Sequence, residues 1–396
     1  MNSSVDIDVP KGQNCIPSHP VSSVPKHRIL LDLLAYGPND GGFTTSVNSL
    51  LESAKLLPEF EFGLLHHRDY RDYFSRWPFT RHEAVCPRPL KFMASLWITP
   101  RVVQRHGYAA VHADISLLSP WLGVPGSIRV HDLYFLLNPS VSQRNPVKRA
   151  ANFVYERLLV RSIRRAAVVG AISECTRRDI GRLVGRTQGG VLLPHAIPSP
   201  AGLVQPAAWP EIDQPLKLLF VGSVVPRKNI RVLLQALRQV KRSWALDIVG
   251  NIWWGSASIK DYSGDSRVHI RGFVSDSELR EYYRKSHVLV IPSLYEGFGL
   301  PAAEAISAGC LALTSSGSGF DEYIPAECRF DPNTPTQLSA LLDRLDQQSA
   351  AKLWRASSEA IKQYTLEAQT RAYATAFRKL LSCESGNSPQ SVGASA

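Results

Sequence analysis

Two carboxylates, Glu296 and Glu304, bracket the run Gly297-Phe298-Gly299-Leu300-Pro301. An apolar segment, Val288-Leu-Val-Ile-Pro292, precedes them, and a helix-forming segment, 302–308, follows. This order predicts a buried parallel strand, a glycine loop and a helix. Such a loop turns free backbone N–H groups and the positive end of a helix dipole toward the carboxyl edge of a sheet, where anionic ligands bind. Carboxylates beside an anion site have an evident use: each accepts hydrogen bonds in pairs from vicinal hydroxyls of a sugar or ribose. A second loop, after the strand-like segment 216–222, carries Arg227-Lys228. Adjacent cations there suit a diphosphate, the guanidinium as a fork and the ammonium as a point charge, although a solvated basic loop has the same residues. In the first half His131-Asp132 ends an apolar stretch, and Gly41-Gly42 separates the apolar run 29–34 from a helical stretch beginning at Thr44. A histidine at a strand end can hydrogen-bond a hydroxyl, and a glycine pair lets a ligand approach the backbone; a structural histidine and a tight turn fit them equally.

The elements that must hold these groups alternate strand and helix. Strand candidates occur at 29–34, 109–114, 127–132, 166–173 and 191–195, and again at 216–222, 246–250, 268–273, 288–292 and 310–314. Helical patterns run over 174–184, 229–240, 278–285, 336–345 and 350–379. Ser275 with Glu278 predicts a capping box. Residues 55–110 mix apolar, aromatic and basic clusters irregularly. This alternation predicts an α/β protein with two parallel-sheet domains. Domain one spans 27–200, a proline-rich linker 201–215, and domain two 216–382, with disordered tails at 1–26 and 383–396.

Composition narrows the class. The chain has 396 residues, 44% hydrophobic and 20% charged, ample for two cores. No apolar run approaches bilayer length, and the N-terminal stretch lacks the apolar segment of a signal peptide. The six cysteines are scattered, which fits a reduced cytoplasmic setting and no metal site. The net charge of +11 asks for an anionic partner. Positive charge is dense over 144–165, where Arg149, Arg157, Arg161, Arg164 and Arg165 interleave with apolar residues. That is the pattern of a basic helix lying on anionic lipid, or of an ordinary packed helix with a solvated arginine face.

Together these motifs resemble the retaining family-4 glycosyltransferases. The carrying residues are 221–229 (VGSVVPRKN), Arg271-Gly-Phe273 and 292–304 (PSLYEGFGLPAAE), with Gly41-Gly42, His131-Asp132-Leu133 and Ala171-Ile-Ser-Glu174 in the first half. The wording is closest to mannosyl- and rhamnosyltransferases of bacterial surface polysaccharide and lipopolysaccharide synthesis. The resemblance implies the GT-B fold, two Rossmann-like domains facing each other across a deep cleft, and transfer of a hexose, mannose first, with retention. It implies catalytic roles for His131, Glu296, Arg227 and Lys228. It implies donor contacts at Gly41, Gly42, Ser173, Gly222, Gly297, Phe298, Gly299, Leu300 and Glu304, with Glu304 on the ribose. The implied partners are a nucleotide sugar such as GDP-mannose and a glycan or lipid-linked acceptor, with no nucleic acid. No cofactor or metal is implied, and the protein would be cytoplasmic or peripheral on the inner membrane face. Other readings on this architecture are an epimerase, a phosphorylase or a non-catalytic sugar- or lipid-binding protein. Leu311 stands where the family usually has proline, and Phe43 follows the glycine pair in place of a small residue.

Overall fold

The computed structural model describes residues 27–37, 42–114, 116–137, 146–186, 190–197, 206–211, 214–251 and 264–383. Its first sheet contains β1 (His27–Asp32), β2 (Phe60–His67), β3 (Thr80–Ala84), β4 (Ala110–Ala113), β5 (Gly126–Val130), β6 (Val168–Ala171) and β7 (Gly190–Leu192), in the order 3-2-1-4-5-6-7. The second contains β8 (Leu216–Val221), β9 (Trp244–Val249), β10 (Val268–Gly272), β11 (Val288–Ile291), β12 (Leu311–Ser315) and β13 (Arg329–Phe330), in the order 10-9-8-11-12-13. All pairings are parallel. Strand order therefore reverses between β1 and β4 and between β8 and β11. At such reversals the loops leaving adjacent strands diverge and open a crevice at the carboxyl edge.

Central strands such as β1, β8, β11 and β12 are buried apolar runs because parallel sheets are covered on both faces, whereas the edge strands β3, β7 and β10 are partly exposed. In β11 no residue exceeds 2% exposure. The covering helices are α1 (Gly42–Lys55), α2 (Arg71–Ser75), α3 (Lys91–His106), α4 (Tyr134–Leu137), α5 (Pro146–Arg165) and α6 (Glu174–Asp179) in the first half. In the second they are α7 (Ile230–Leu237), α8 (Asp276–Lys285), α9 (Leu300–Ser307), α10 (Pro335–Arg344), α11 (Gln347–Ile361) and α12 (Leu366–Ser382). The capping box forms at the start of α8: Ser275 accepts from Glu278 N–H and Glu278 reaches back to the Ser275 amide.

Three expectations are corrected. Residues 55–110 are not irregular: they supply β2 and β3, whose histidines and charges hide the apolar pattern. The helical stretch 350–379 is two helices. Thr365 caps the second by accepting from Ala368 N–H, and the Tyr364 carbonyl just before it accepts from Ile197 N–H. The chain crosses back here. Trp354 and Ile361 of α11 lie in the second core, whereas Tyr373 and Phe377 of α12 lie in the first. Helix α1 begins at Gly42 itself, so this glycine belongs to the helix and not to the preceding loop. The first proposed tail, 1–26, and residues 384–396 of the second, together with 201–205 and 212–213 of the linker, lie outside the described residues; Cys383 of the second tail extends the end of α12.

Candidate active site

The second crevice, at β8 and β11, assembles the acid and the cations. Gly222 closes β8 at φ 137°, and a Cβ there would sit 3.3 Å from Lys228 Cε, so the absent side chain lets Lys228 lie across the loop. A short 3-10 turn, Pro226–Lys228, sets Arg227 and Lys228 at the crevice. The turn is tied to the β11 loop by Leu294 N–H donating to the Arg227 carbonyl. Lys228 Nζ donates to Glu296 Oε1 at 2.7 Å, and Arg227 lies 3.1 Å from Oε2. The guanidinium also donates to the Tyr295 carbonyl at 2.9 Å. Glu296 is 8% exposed. Burial alone would raise its pKa; Lys228 and Arg227 outweigh it and hold the carboxyl down to about 2. Glu296 is therefore a fixed anion locked between two cations.

The glycines of this loop are required by contact. Gly299 has φ 87°, and a Cβ there would meet Phe320 at 2.0 Å. A Cβ on Gly297 would meet the His131 carbonyl oxygen at 2.0 Å, so the two domains touch backbone to backbone at this point. Phe298 turns its side chain into the core, with its ring 4.9 Å from that of Tyr364 and 5.5 Å from that of His195. Leu300 opens α9. Glu304, one turn into α9, accepts from Tyr283 OH at 3.1 Å, and burial raises its pKa. The two acids thus differ: Glu296 is ion-paired, Glu304 is held by a neutral donor.

On the facing domain His131 follows β5. Its Nε2 lies 3.2 Å from the Asp114 carbonyl and 3.6 Å from Asp114 Oδ2, with its ring edge-on to Phe43 at 5.1 Å. Asp114, at the end of β4, is fully buried against Arg129, itself 2% exposed. Burial would push the Asp114 carboxyl up, but Arg129 and His131 hold it far below the usual range. Arg129 also donates to Ser46 Oγ and to the Leu193 and Pro194 carbonyls. Gly42 faces the other domain: a Cβ on it would lie 3.7 Å from Leu300 Cδ1. Gly41 lies outside the described residues. Ser173 caps α6 by accepting from Thr176 N–H, and its hydroxyl donates to the Gly297 carbonyl at 2.6 Å.

The structure thus brings His131, Ser173, Gly42 and the Glu296 loop to one interdomain seam. Further links cross it. Tyr295 OH donates to Asp179, Cys175 N–H donates to Glu322, and Arg227 lies 5.7 Å from the Tyr134 ring. Sequence reasoning passed over Asp114, Arg129, Tyr283 and the Tyr295–Asp179 bond. The one available signal was Arg129, a charge inside the otherwise buried strand β5. Among the described residues no group of three or more His, Cys, Asp or Glu could hold a metal ion.

Comparison with known proteins agrees with this geometry. Residues 205–364 match the family Glycosyl transferases group 1. The O-antigen chain mannosyltransferase B of Escherichia coli is 26% identical over 268 residues, which cover 63% of this chain and 69% of that one. In fold, the sucrose-phosphate synthase of Thermosynechococcus elongatus superposes with a TM-score of 0.71 at 20% identity, covering 90% of this chain and 100% of that one. The HepE protein of Anabaena, solved in complex with UDP and glucose, gives 0.66 at 16% identity, covering 89% and 99%. The chain is a glycosyltransferase of GT-B architecture, and its residues 205–364 match the group 1 glycosyl transferase family.

Proposed function

We propose that this protein transfers a hexose from a nucleoside diphosphate sugar to a hydroxyl of a glycan or lipid-linked glycan, with retention at the anomeric carbon, in the manner of family 4. The observation that carries this reading is the Glu296–Lys228–Arg227 clamp beside the Gly297–Leu300 loop, with His131 opposite. The clamp offers concentrated positive charge where a diphosphate would leave, and an acid where sugar hydroxyls would bind. The acceptor oxygen attacks the anomeric carbon on the face of the departing diphosphate. The bond from that carbon to the phosphate oxygen breaks with its electron pair, Arg227 and Lys228 take up the released charge, and the acceptor proton passes to the leaving phosphate. His131, fixed at Nε2 by Asp114, hydrogen-bonds the transferred sugar. Glu304 takes the ribose hydroxyls, and Gly42 and Ser173 line the facing wall. The cations supply the charge stabilisation that a metal gives elsewhere.

Mannose, carried on GDP, is the proposed first donor, supported by the mannosyltransferase name of the Escherichia coli relative. The same name supports surface polysaccharide or lipopolysaccharide as the product. No described helix is long and apolar enough to cross a membrane. A peripheral place on the inner membrane face, through Arg149, Arg157, Arg161, Arg164 and Arg165, completes the reading. The test is a panel of sugar nucleotides scored by thermal protection, followed by product analysis. Nucleoside diphosphate released only in the presence of an acceptor, with an α-linked product from an α-linked donor, supports transfer with retention. Release without an acceptor, or interconversion of the donor sugar, overturns it.

A further inference from the structure

The first domain leaves an unusual set of large apolar side chains in water. On α3, Phe92, Met93 and Trp97 are 36%, 37% and 52% exposed; on α5, Phe153 is 54% exposed; in the loop between β4 and β5, Trp121 is 55% exposed. They form one band. The Trp97 and Trp121 rings stack at 4.1 Å and 26°. The Phe92 ring lies 5.1 Å from that of Tyr155 on α5. The loop is fastened to α5 by Ser162 Oγ donating to the Leu118 carbonyl and by Arg165 donating to the Pro120 carbonyl.

Cations frame the band. Arg101 donates to the Trp97 carbonyl, Arg165 borders the Trp121 loop, and Arg157 lies 4.7 Å over the Phe153 ring. The sequences of α3 and α5 contain a single acid, Glu156. Contiguous exposed aromatic surface marks an interaction site. Indole rings edged by arginines on a helical face match the headgroup layer of an anionic bilayer, where the rings sit among the acyl-chain ends and the cations meet lipid phosphates.

The band also has a direction. Lys91, the first residue of α3, donates to the Tyr36 carbonyl in the loop leaving β1, 3.2 Å away. Phe135 of α4, four residues past His131, has its ring 6.3 Å from that of Tyr155. The end of the band bearing Phe92 therefore adjoins the rim of the interdomain seam.

We infer that the α3–Trp121–α5 face docks on an anionic lipid surface through inserted aromatic rings, setting the rim of the seam against the bilayer so that the acceptor arrives from the membrane as a lipid-anchored glycan. The acceptor part of this inference rests on the transferase reading; the docking part does not. It extends the lipid contact from the arginines of α5 to an aromatic surface built on three elements.

The experiment is flotation of the full-length protein with vesicles of phosphatidylcholine alone and of phosphatidylcholine with phosphatidylglycerol, with tryptophan emission recorded. Thermal protection by sugar nucleotides is measured on the same samples. The wild type is expected to float with the anionic vesicles only and to shift its emission to the blue. Trp97→Ser with Trp121→Ser should lower the partition coefficient at least tenfold and abolish the blue shift. Its melting and its protection by sugar nucleotide should match the wild type, which shows that it folds. Leu56→Ser, removing a side chain 54% exposed at the end of α1, should float as the wild type does. Undiminished flotation of the folded double variant overturns the proposal, as does failure of the wild type to float. A wild-type dimer in the absence of lipid that the double variant abolishes also overturns it, because a second copy then covers the band. Loss of sugar-nucleotide protection across the whole panel would instead count against the transferase reading and leave the docking result intact.

Discussion

At the scale of residues, the site is a set of charges whose protonation is fixed by neighbours. Glu296 has a folded pKa of about 2 against an ordinary 4.5. Its clamp therefore stabilises the fold above pH 4.5 and loses that contribution as pH falls through about 2. The difference corresponds to about 3 kcal/mol. Lys228→Met should raise the Glu296 pKa and move the acid-unfolding transition to higher pH, followed by circular dichroism; an unmoved transition would mean that Arg227 alone holds the carboxylate. Asp114 and Arg129 form a pair with no exposed side-chain surface. Asp114→Asn leaves the guanidinium buried without its counter-charge, a change that typically costs about 3–5 kcal/mol. Calorimetry should show a correspondingly lower Tm, and kcat should fall further than KM rises if Asp114 also fixes His131 at Nε2. The two acids and two cations of the second domain are legible in the sequence because Glu296, Arg227 and Lys228 stand between a strand and the next helix and Glu304 stands one turn into such a helix. The Asp114–Arg129 pair is not. Its members sit 15 residues apart on adjacent strands, and only the pairing of β4 with β5 brings them together.

At the scale of elements, glycine positions carry the information. Gly299 is held at φ 87° with Phe320 against its α-carbon. Gly299→Ala should cost about 1–2 kcal/mol from the left-handed backbone alone, and more from displacing Phe320. The fall in Tm is the measurement, and a change within error would show that the loop adjusts freely. The strand–loop–helix order around 288–307 could be read because β11 is a continuous apolar run and Pro301 and Gly309 mark the helix limits. β2 and β3 could not be read. In β2, a strand buried on both faces, there is no alternation to display, and His66 and His67 are buried polar residues that imitate a loop; β3 is a mostly exposed edge strand with the charged residues Arg81 and Glu83. The division of 350–379 into α11 and α12 was equally hidden. Nothing local forbids a continuous helix there; the crossing between domains decides it.

At the scale of the molecule, the seam between the domains is drawn tight by Ser173 on the Gly297 carbonyl, by Tyr295 on Asp179 and by the close approach of Gly297 to the His131 carbonyl. Gly297→Ala would place a methyl group on that carbonyl. It should part the domains, seen as a larger radius of gyration in solution scattering and weaker thermal protection by sugar nucleotide. An unchanged radius with full protection would show that the contact is not needed for donor binding. By itself the sequence determined the two parallel-sheet domains, the loops with their acids, cations and glycines, and the positive surface, because each depends on local order: an apolar strand, a turn, a helix start. The tertiary structure decided which groups meet. The reversal of strand order at β1/β4 and β8/β11 opens the crevices. The return of α12 to the first core couples the domains, and the register of β4 on β5 buries Asp114 against Arg129. These are contacts between separate elements, set by strand pairing and by the packing of two cores against one another, and no single strand, turn or helix contains both partners.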